Sequence, residues 1–277
     1  MNRIPELSVV VPAYNNAATI RETIESILSQ DGVGFELVIA DHASSDATRN
    51  IAADYADDPR VRILDTPAGG GAARNWNRVT RAAHGVYLKL VCGDDVLRPG
   101  VLARQVALLR STGAVLTASR RDIIDAHGRI VMRAWGLRGI DRPLGGAEAA
   151  RRALRVGSNV FGEPASVTMR RAALVEAGGW FDAFPYLIDQ ATYTRVLESG
   201  DFVPDLQVGA TFRMSSTQWS VALSRSQARQ ARAFHAWYRA RRPDVVSRLD
   251  LLQGDVRATA MAHGRKLAYA ALRRRMR

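Results

Sequence analysis

Leu7-Ser8-Val9-Val10-Val11-Pro12-Ala13-Tyr14-Asn15-Asn16 is a short apolar run that ends at a proline and then turns polar. An unbroken apolar run of this length reads as a strand buried on both faces, as in parallel sheets. Working outward, Ile20, Ile24, Ile27 and Leu28 recur at helical spacing, so residues 17–30 form an amphipathic helix. Phe35-Glu36-Leu37-Val38-Ile39-Ala40 is a second strand, followed by a polar loop and a helix near 46–57. Residues 61–64 make a third strand, 72–84 a third helix and 87–91 a fourth strand that stops at Gly93-Asp94-Asp95. Strands alternating with helices across short connections predict an α/β protein with a doubly wound, mostly parallel sheet. Ligands of such sheets sit beyond the carboxyl ends of the strands. The polar clusters fall there: Tyr14-Asn15, residues 41–46, and Asp94-Asp95.

The rest of the chain is less regular. A helix near 99–111 and a strand at 114–119 precede a mixed stretch, 120–165, rich in Gly and Arg. Residues 166–169 read as a strand and 189–199 as a helix. From 213 the pattern changes to long helices, 216–241 and 244–276, broken at Pro243. The expected division is a main domain over 1–212 and a basic helical C-terminal extension over 213–277.

Charge follows that division. Residues 213–277 hold 15 of the 39 Lys and Arg but 3 of the 27 Asp and Glu, which accounts for the whole net charge of +12. An excess confined to one end points to an anionic surface. In the last 13 residues Arg265, Lys266, Arg273, Arg274, Arg275 and Arg277 stand without an acid. Val256, Ala260, Leu267, Ala271 and Met276 give a thin apolar stripe, and Trp219, Phe234, Trp237 and Tyr238 serve either domain packing or a bilayer interface. Residues 244–277 are therefore expected on an anionic membrane surface. A solvated helix face reads equally well. The chain has no apolar stretch of 18 residues, and its start lacks a signal-peptide core. Cys92 is the sole cysteine, so no internal disulfide forms. A cytoplasmic location is expected, peripheral to the inner face of the cell membrane.

Asp94 and Asp95 are adjacent carboxylates at a strand end, which repel unless a positive charge neutralises them. A divalent cation with oxygen ligands suits them, although an isolated Asp-Asp is more often a solvated turn. Asp41 ends the second strand, placed to accept hydrogen bonds from a base or ribose. Asp189 follows an aromatic-rich loop at a helix start and reads equally as a general base or a helix cap. Asn75 and Asn77 divide evenly between donor contact and helix capping. Lys89, inside an apolar strand, needs a partner such as Asp41 or Asp94, unless it reaches the surface. Glu163 precedes a strand and is an acceptor contact candidate. Trp180 either stacks on an acceptor ring or packs in the core.

Five motifs occur in order over about 200 residues. They are residues 8–16 above, Asp41-His42-Ala43-Ser44-Ser45-Asp46-Ala47-Thr48, Ala73-Arg74-Asn75-Trp76-Asn77, Gly93-Asp94-Asp95, and Gly178-Gly179-Trp180-Phe181-Asp182 leading to Asp189. The set resembles the family 2 glycosyltransferases, inverting enzymes of the GT-A fold. The resemblance implies that Pro12, Tyr14 and Asp41 line a nucleotide pocket; Asn15, His42, Asn75 and Lys89 are further candidates for contact with the nucleotide-sugar. It implies Asp94 near the ribose or base, Asp95 holding Mg²⁺ or Mn²⁺ on a donor diphosphate, and Asp189 as catalytic base. The partners implied are a nucleotide-sugar donor of UDP, GDP or dTDP type and a saccharide or lipid-linked acceptor of cell-surface polysaccharide or glycolipid synthesis.

Some positions depart from the family pattern. His42 stands where the base-recognition loop usually has a second acid, so donor-base preference is open. Arg213-Met214-Ser215 lacks the histidine of the usual Arg-x-His; Arg213 is expected to bind phosphate and Ser215 is a poor metal ligand. Ile188 replaces the acid that often precedes the base. These departures leave room for a non-catalytic sugar-nucleotide-binding relative. A nucleic-acid-binding protein using the basic tail is the weaker alternative, since the main domain is neutral and carries no nucleic-acid motif; no nucleic acid is expected as partner. A dinucleotide-binding dehydrogenase is disfavoured because no Gly-rich turn follows the first strand.

Overall fold

The computed structural model describes residues 4–214 and 226–275, with side chains of the last helix as far as residue 262. Ser215, Trp219, the opening of the helix expected at 216–241 and the basic side chains of 265–277 lie outside the described residues.

Three strand–helix units and a fourth strand open the chain: β1 (Leu7–Ala13), α1 (Ile20–Leu28), β2 (Phe35–Asp41), α2 (Thr48–Ala53), β3 (Val61–Asp65), α3 (Gly71–Ala82) and β4 (Tyr87–Leu90). β1 lies between β2 and β4, parallel to both, with Leu7 opposite Phe35 on one side and Tyr87 on the other. β3 continues beyond β2. Every residue of β1 is buried, which is why its sequence lacks the polar alternation of a half-exposed strand.

Side-chain alternation divides the core into two layers. Val10, Val38, Leu88 and Leu90 share a cluster with Ala73 and Val79 of α3. Leu7, Val9, Val11, Leu37, Ile39 and Tyr87 face the opposite way, against Ile20, Ile24 and Ile27 of α1. Helices thus cover both faces, as the expected doubly wound sheet requires.

The second half supplies β5 (Val96–Leu97), α4 (Val101–Thr112), β6 (Leu116–Ile124), β7 (Ile130–Trp135), α5 (Gly146–Val156), β8 (Val167–Arg170), α6 (Arg171–Glu176), α7 (Ile188–Val196) and β9 (Phe202–Arg213). Among the described residues the main sheet runs β3-β2-β1-β4-β8-β6-β9-β5, with β7 paired to β6. β8 is antiparallel to β4 and β6, and β9 is parallel to β6. The sheet is therefore mostly parallel, with the order reversing between β1 and β4.

Three elements had no clear sequence signal. The stretch at 120–165 holds the end of β6, all of β7 and α5. The buried face of α5 is mostly alanine (Ala149, Ala150, Ala153, with Leu154), so its apolar periodicity is faint. β9 contains Pro204, Asp205 and Gly209, all breakers by propensity, yet buried Asp205 is ion-paired to Arg104 of α4 at 2.9 Å.

The C-terminal helices are α8 (Gln227–Arg241) and α9 (Arg248–Arg275). Phe234 and Tyr238 of α8, Val246, and Ala258 of α9 form one cluster with Leu154 of α5 and Ala191 of α7. The division drawn after residue 212 falls within β9, one residue before its end.

Candidate active site at the β1–β4 crevice

Sheet order reverses between β1 and β4, so a crevice opens beyond their carboxyl ends. β1 extends three residues past its last partner on β4, since the pairing stops at Val10 and Leu90. Pro12 lies in that overhang and has no N–H to donate. β4 instead leads into Cys92-Gly93-Asp94-Asp95.

That acidic loop is held from α1. Thr19 Oγ1 donates to Gly93 O at 2.8 Å, and Thr23 Oγ1, one turn on, donates to Asp95 O at 2.8 Å. Gly93 is required here, because a Cβ would stand 2.6 Å from Asn16 Oδ1. Asp95 is buried, at 1% exposure. Its Oδ1 accepts the Arg213 backbone N–H at 3.2 Å, and its Oδ2 is buried without a partner. Burial first, and then the Asp94 charge, push the Asp95 carboxyl well above the usual range; the Arg213 N–H opposes them. Cys92 Sγ and oxygens of Asp94 and Asp95 lie within 4.8 Å of one another. A partnerless buried carboxylate oxygen beside a second carboxylate fits a divalent cation, which reverses the cost of both charges.

Arg213 is not a phosphate ligand in this arrangement. Its buried guanidinium donates to Asp94 O at 3.0 Å, Ala126 O at 3.5 Å and Glu22 Oε2 at 2.6 Å. The expected phosphate role is corrected to that of a clamp behind the acidic loop.

The tips of β1 and β2 form the next part of the crevice. Tyr14 is 59% exposed, and its ring meets His42 edge-on at 6.0 Å. His42 Nε2 lies 2.9 Å from Gly69 O, which can only accept, so Nε2 carries the proton. Asp41 is buried; its Oδ2 accepts Ser44 N–H at 2.9 Å, and its Oδ1 has no partner. Asn15 has a positive φ of 51°. Its Oδ1 accepts Ser45 N–H at 2.9 Å, joining the loops after β1 and β2.

Two residues expected around the nucleotide point elsewhere. Asn75 lies mid-helix in α3, so it is no cap. Its amide donates to Ala40 O at 2.9 Å and Ala13 O at 3.4 Å and accepts from Thr66 at 2.6 Å, fixing the ends of β1 and β2. Lys89 is on the α4 side of β4. Its Nζ donates to Gln105 Oε1 at 2.9 Å and Val167 O at 3.4 Å, away from Asp41 and Asp94. Burial lowers its pKa to about 7, with Asp205 opposing.

Asp189 enters from α7. Its Oδ1 accepts the Gln190 N–H at 2.7 Å and its Oδ2 accepts Asn159 Nδ2–H at 2.8 Å. Burial, with Glu163 adding to it, pushes its carboxyl up to about 6 against those two donors. Asn159 also donates to Gly162 O at 2.7 Å and accepts Phe161 N–H at 3.1 Å, so one amide holds both Asp189 and the loop before β8. Glu163 in that loop is ion-paired to buried Arg121 of β6. Cys92 feels both sides of the crevice: burial, then Asp95, Asp94, Asp189 and Glu163 push its thiol well above the usual value. The sequence reading missed Arg121, Asn159, Thr19 and Thr23. It also missed Tyr193, one helical turn beyond Asp189, whose buried hydroxyl has no partner. Asn159 and Arg121 fall in the stretch without periodicity, so nothing marked them.

Trp180 is a core residue. It is 3% exposed, its Nε1–H donates to Thr80 Oγ1 at 2.9 Å, and Trp76 meets it edge-on at 4.9 Å. Asn77 grips its backbone, accepting Trp180 N–H at 2.9 Å and donating to Trp180 O at 3.1 Å. The expected stacking on an acceptor ring is corrected accordingly.

The chain is similar to known proteins. Residues 8–177 match Glycosyl transferase family 2. The chain is 34% identical over 201 residues to Uncharacterized protein MT1568 of Mycobacterium tuberculosis, covering 70% of this chain and 62% of that protein. It is 38% identical over 131 residues to the succinoglycan biosynthesis protein ExoO of Rhizobium meliloti, covering 47% and 37%. The chain thus spans less than two thirds of the length of these relatives. Among solved structures, S. aureus TarS 1–349 in complex with UDP-GlcNAc superposes with a TM-score of 0.65 at 17% identity, covering 83% of this chain and 66% of that one. Mannosyltransferase PcManGT from Pyrobaculum calidifontis, in complex with GDP-Man and Mn2+, superposes with a TM-score of 0.61 at 17% identity, covering 98% and 81%. At such identity these likenesses speak for the fold alone, and it is the GT-A fold. With its motifs matched in order over more than half its length, the chain belongs to glycosyltransferase family 2.

Proposed function

We propose that the chain transfers a sugar from a nucleotide-sugar donor to an acceptor hydroxyl, with inversion at the anomeric carbon. The observation that carries this reading is the unpaired Oδ2 of buried Asp95, beside Asp94 and just past the end of β4, where the reversal of strand order opens the crevice. Tyr14 offers a ring face to a base, and Asp41 Oδ1 accepts from a base N–H or ribose hydroxyl. Asp95, with Asp94 beside it, would hold Mg²⁺ or Mn²⁺, and the ion when bound would offset the charge developing on the departing diphosphate. Asp189 takes the proton of the acceptor hydroxyl, whose oxygen bonds to the anomeric carbon as the bond to the diphosphate breaks on the opposite face. Asn159 and the Gln190 N–H fix the rotamer of that base. Glu163, held by Arg121, flanks the acceptor side.

Nucleoside diphosphate release tests the reading. A thermal-shift screen of UDP-, GDP- and dTDP-sugars with Mn²⁺ identifies the donor, since a ligand bound only by the folded state raises the midpoint. Release with that donor, abolished by Asp189→Asn, is expected. Binding without release from either form would leave a sugar-nucleotide-binding relative instead.

A saccharide or lipid-linked acceptor at an anionic membrane surface is the second part of the proposal. Leu249, Leu252 and Val256 of α9 recur on one helical face, each more than 60% exposed. The acids of this helix turn inward: Asp250 pairs with Arg151 and Arg155, and Asp255 with His235. Outward charges at Arg248 and Arg257 are positive, which suits an interfacial helix. Among the described residues no helix is long and apolar enough to cross a membrane. Flotation with anionic vesicles is expected for the full chain and lost on replacing those three apolar residues by serine; equal recovery of both would remove the membrane claim.

A further inference from the structure

Cys92 has no part in the transfer described above, yet it stands inside the acidic loop. Its Sγ lies within 4.8 Å of an oxygen of Asp94 and one of Asp95, and these two are within the same distance of each other. The thiol is partly buried and is the sole cysteine of the chain. A second observation points to a ligand at this spot: Asp95, almost wholly buried, keeps Oδ2 without a hydrogen-bond partner.

We propose that Cys92 is a ligand-forming wall of the cation site, so that Cys92, Asp94 and Asp95 together bind a thiophilic divalent cation of the Zn²⁺ or Cd²⁺ class. The inference rests on the cation reading of Asp95; what it adds is the sulfur. Zn–S and Zn–O bonds of about 2.3 and 2.1 Å put a sulfur and an oxygen about 3.6 Å apart on a tetrahedral ion. The 4.8 Å that bounds the three ligand atoms exceeds that spacing by only about 1.2 Å, so small side-chain shifts close them on one ion. The loop backbone need not move, since Thr19 and Thr23 hold it from α1.

The donor set decides the preference. Mg²⁺ takes oxygen ligands in a near-ideal octahedron and gains nothing from a sulfur. Zn²⁺ and softer ions displace the thiol proton to water and gain a strong bond from the resulting thiolate. The site therefore accepts a hard ion through Asp94 and Asp95, while a thiophilic ion adds Cys92 and displaces it.

Titration of the purified full chain with Cd²⁺, followed by the ultraviolet thiolate-to-cadmium charge-transfer band, reads the sulfur directly. No other thiol exists to give that band. A band saturating at one Cd²⁺ per chain is expected, absent in Cys92→Ser. Cd²⁺ affinity should fall about tenfold or more in that variant, while Mg²⁺ affinity measured by calorimetry changes less than about twofold. Ser is close to Cys in size, and an unchanged melting temperature certifies the fold of the variant. Mn²⁺ binding without a thiolate band in the unaltered chain would overturn the role of Cys92 and leave the transfer reading intact. Binding of neither Mn²⁺ nor Cd²⁺ would overturn both.

Discussion

The two walls of the crevice treat their carboxylates differently. On the wall built from the ends of β1, β2 and β4, Asp41 and Asp95 are buried, and each keeps one oxygen without a partner. On the wall built from the loop before β8 and from α7, Asp189 has both oxygens engaged and Glu163 is paired with Arg121. Leaving a buried carboxylate oxygen unpaired costs folding free energy, so the first wall is arranged to receive a cation and a hydrogen-bond donor from outside. The second wall holds a base in one rotamer with its pKa near neutrality, ready to receive a proton. Donor binding and base catalysis are thus separable by mutation.

The largest expected effect is on the second wall. Asp189→Asn should lower turnover by about 10²–10⁴-fold, the usual contribution of a general base, while donor affinity stays near its original value. The same substitution should not lower the melting temperature at pH 7. The folded pKa of about 6 lies above the usual carboxylate value, so this group's stabilising share is present at low pH and lost as pH rises through 6. Ionised Asp189 therefore costs stability at pH 7, and the neutral amide removes that cost. A large loss of donor affinity with intact turnover would erase the difference between the walls.

Trp180→Ala tests the corrected role of that ring. It should cost about 3–5 kcal/mol of stability through the cavity it opens, measured by denaturant unfolding, with no selective change in acceptor KM. Tyr14→Ala is the counterpart on the first wall. The melting temperature of the unliganded protein should stay put while donor KM rises about tenfold, the scale of one lost aromatic contact.

The smallest effect is a displacement of the pH profile. Activity should fall on the acid side as Asp189 protonates below about pH 6. Glu163→Gln removes a negative neighbour that raises the Asp189 pKa, so the acid limb of kcat/KM should move to lower pH. Movement to higher pH would contradict the role of the Glu163 charge in raising the Asp189 pKa.

Sequence and structure agree best where burial is most uniform. β1, β2 and β4 are apolar throughout and flanked by polar turns, so strand ends and the carboxylates on them could be read directly. The partners of those carboxylates could not. Asn75 and Lys89 have the chemistry of donor ligands, but their direction depends on which face of α3 or β4 they occupy, and both point into the fold. Arg213 looks like a phosphate ligand until the carbonyl of Asp94 and the carboxylate of Glu22 are seen to consume it. β9 and α5 were hidden for another reason: a proline and an aspartate inside a strand, and an alanine face on a helix, contradict local propensity and are decided by tertiary packing.

Calorimetric titration of the cognate nucleoside diphosphate, with Mn²⁺ and with chelator, on the unaltered chain and on Asp95→Asn, tests the central claim most directly. Chelation should weaken binding to the unaltered chain about tenfold or more, and the substitution should abolish that dependence on Mn²⁺. Equal affinity with and without the ion, or a Mn²⁺ effect that survives Asp95→Asn, would contradict the assignment of the cation to the unpaired oxygen of Asp95.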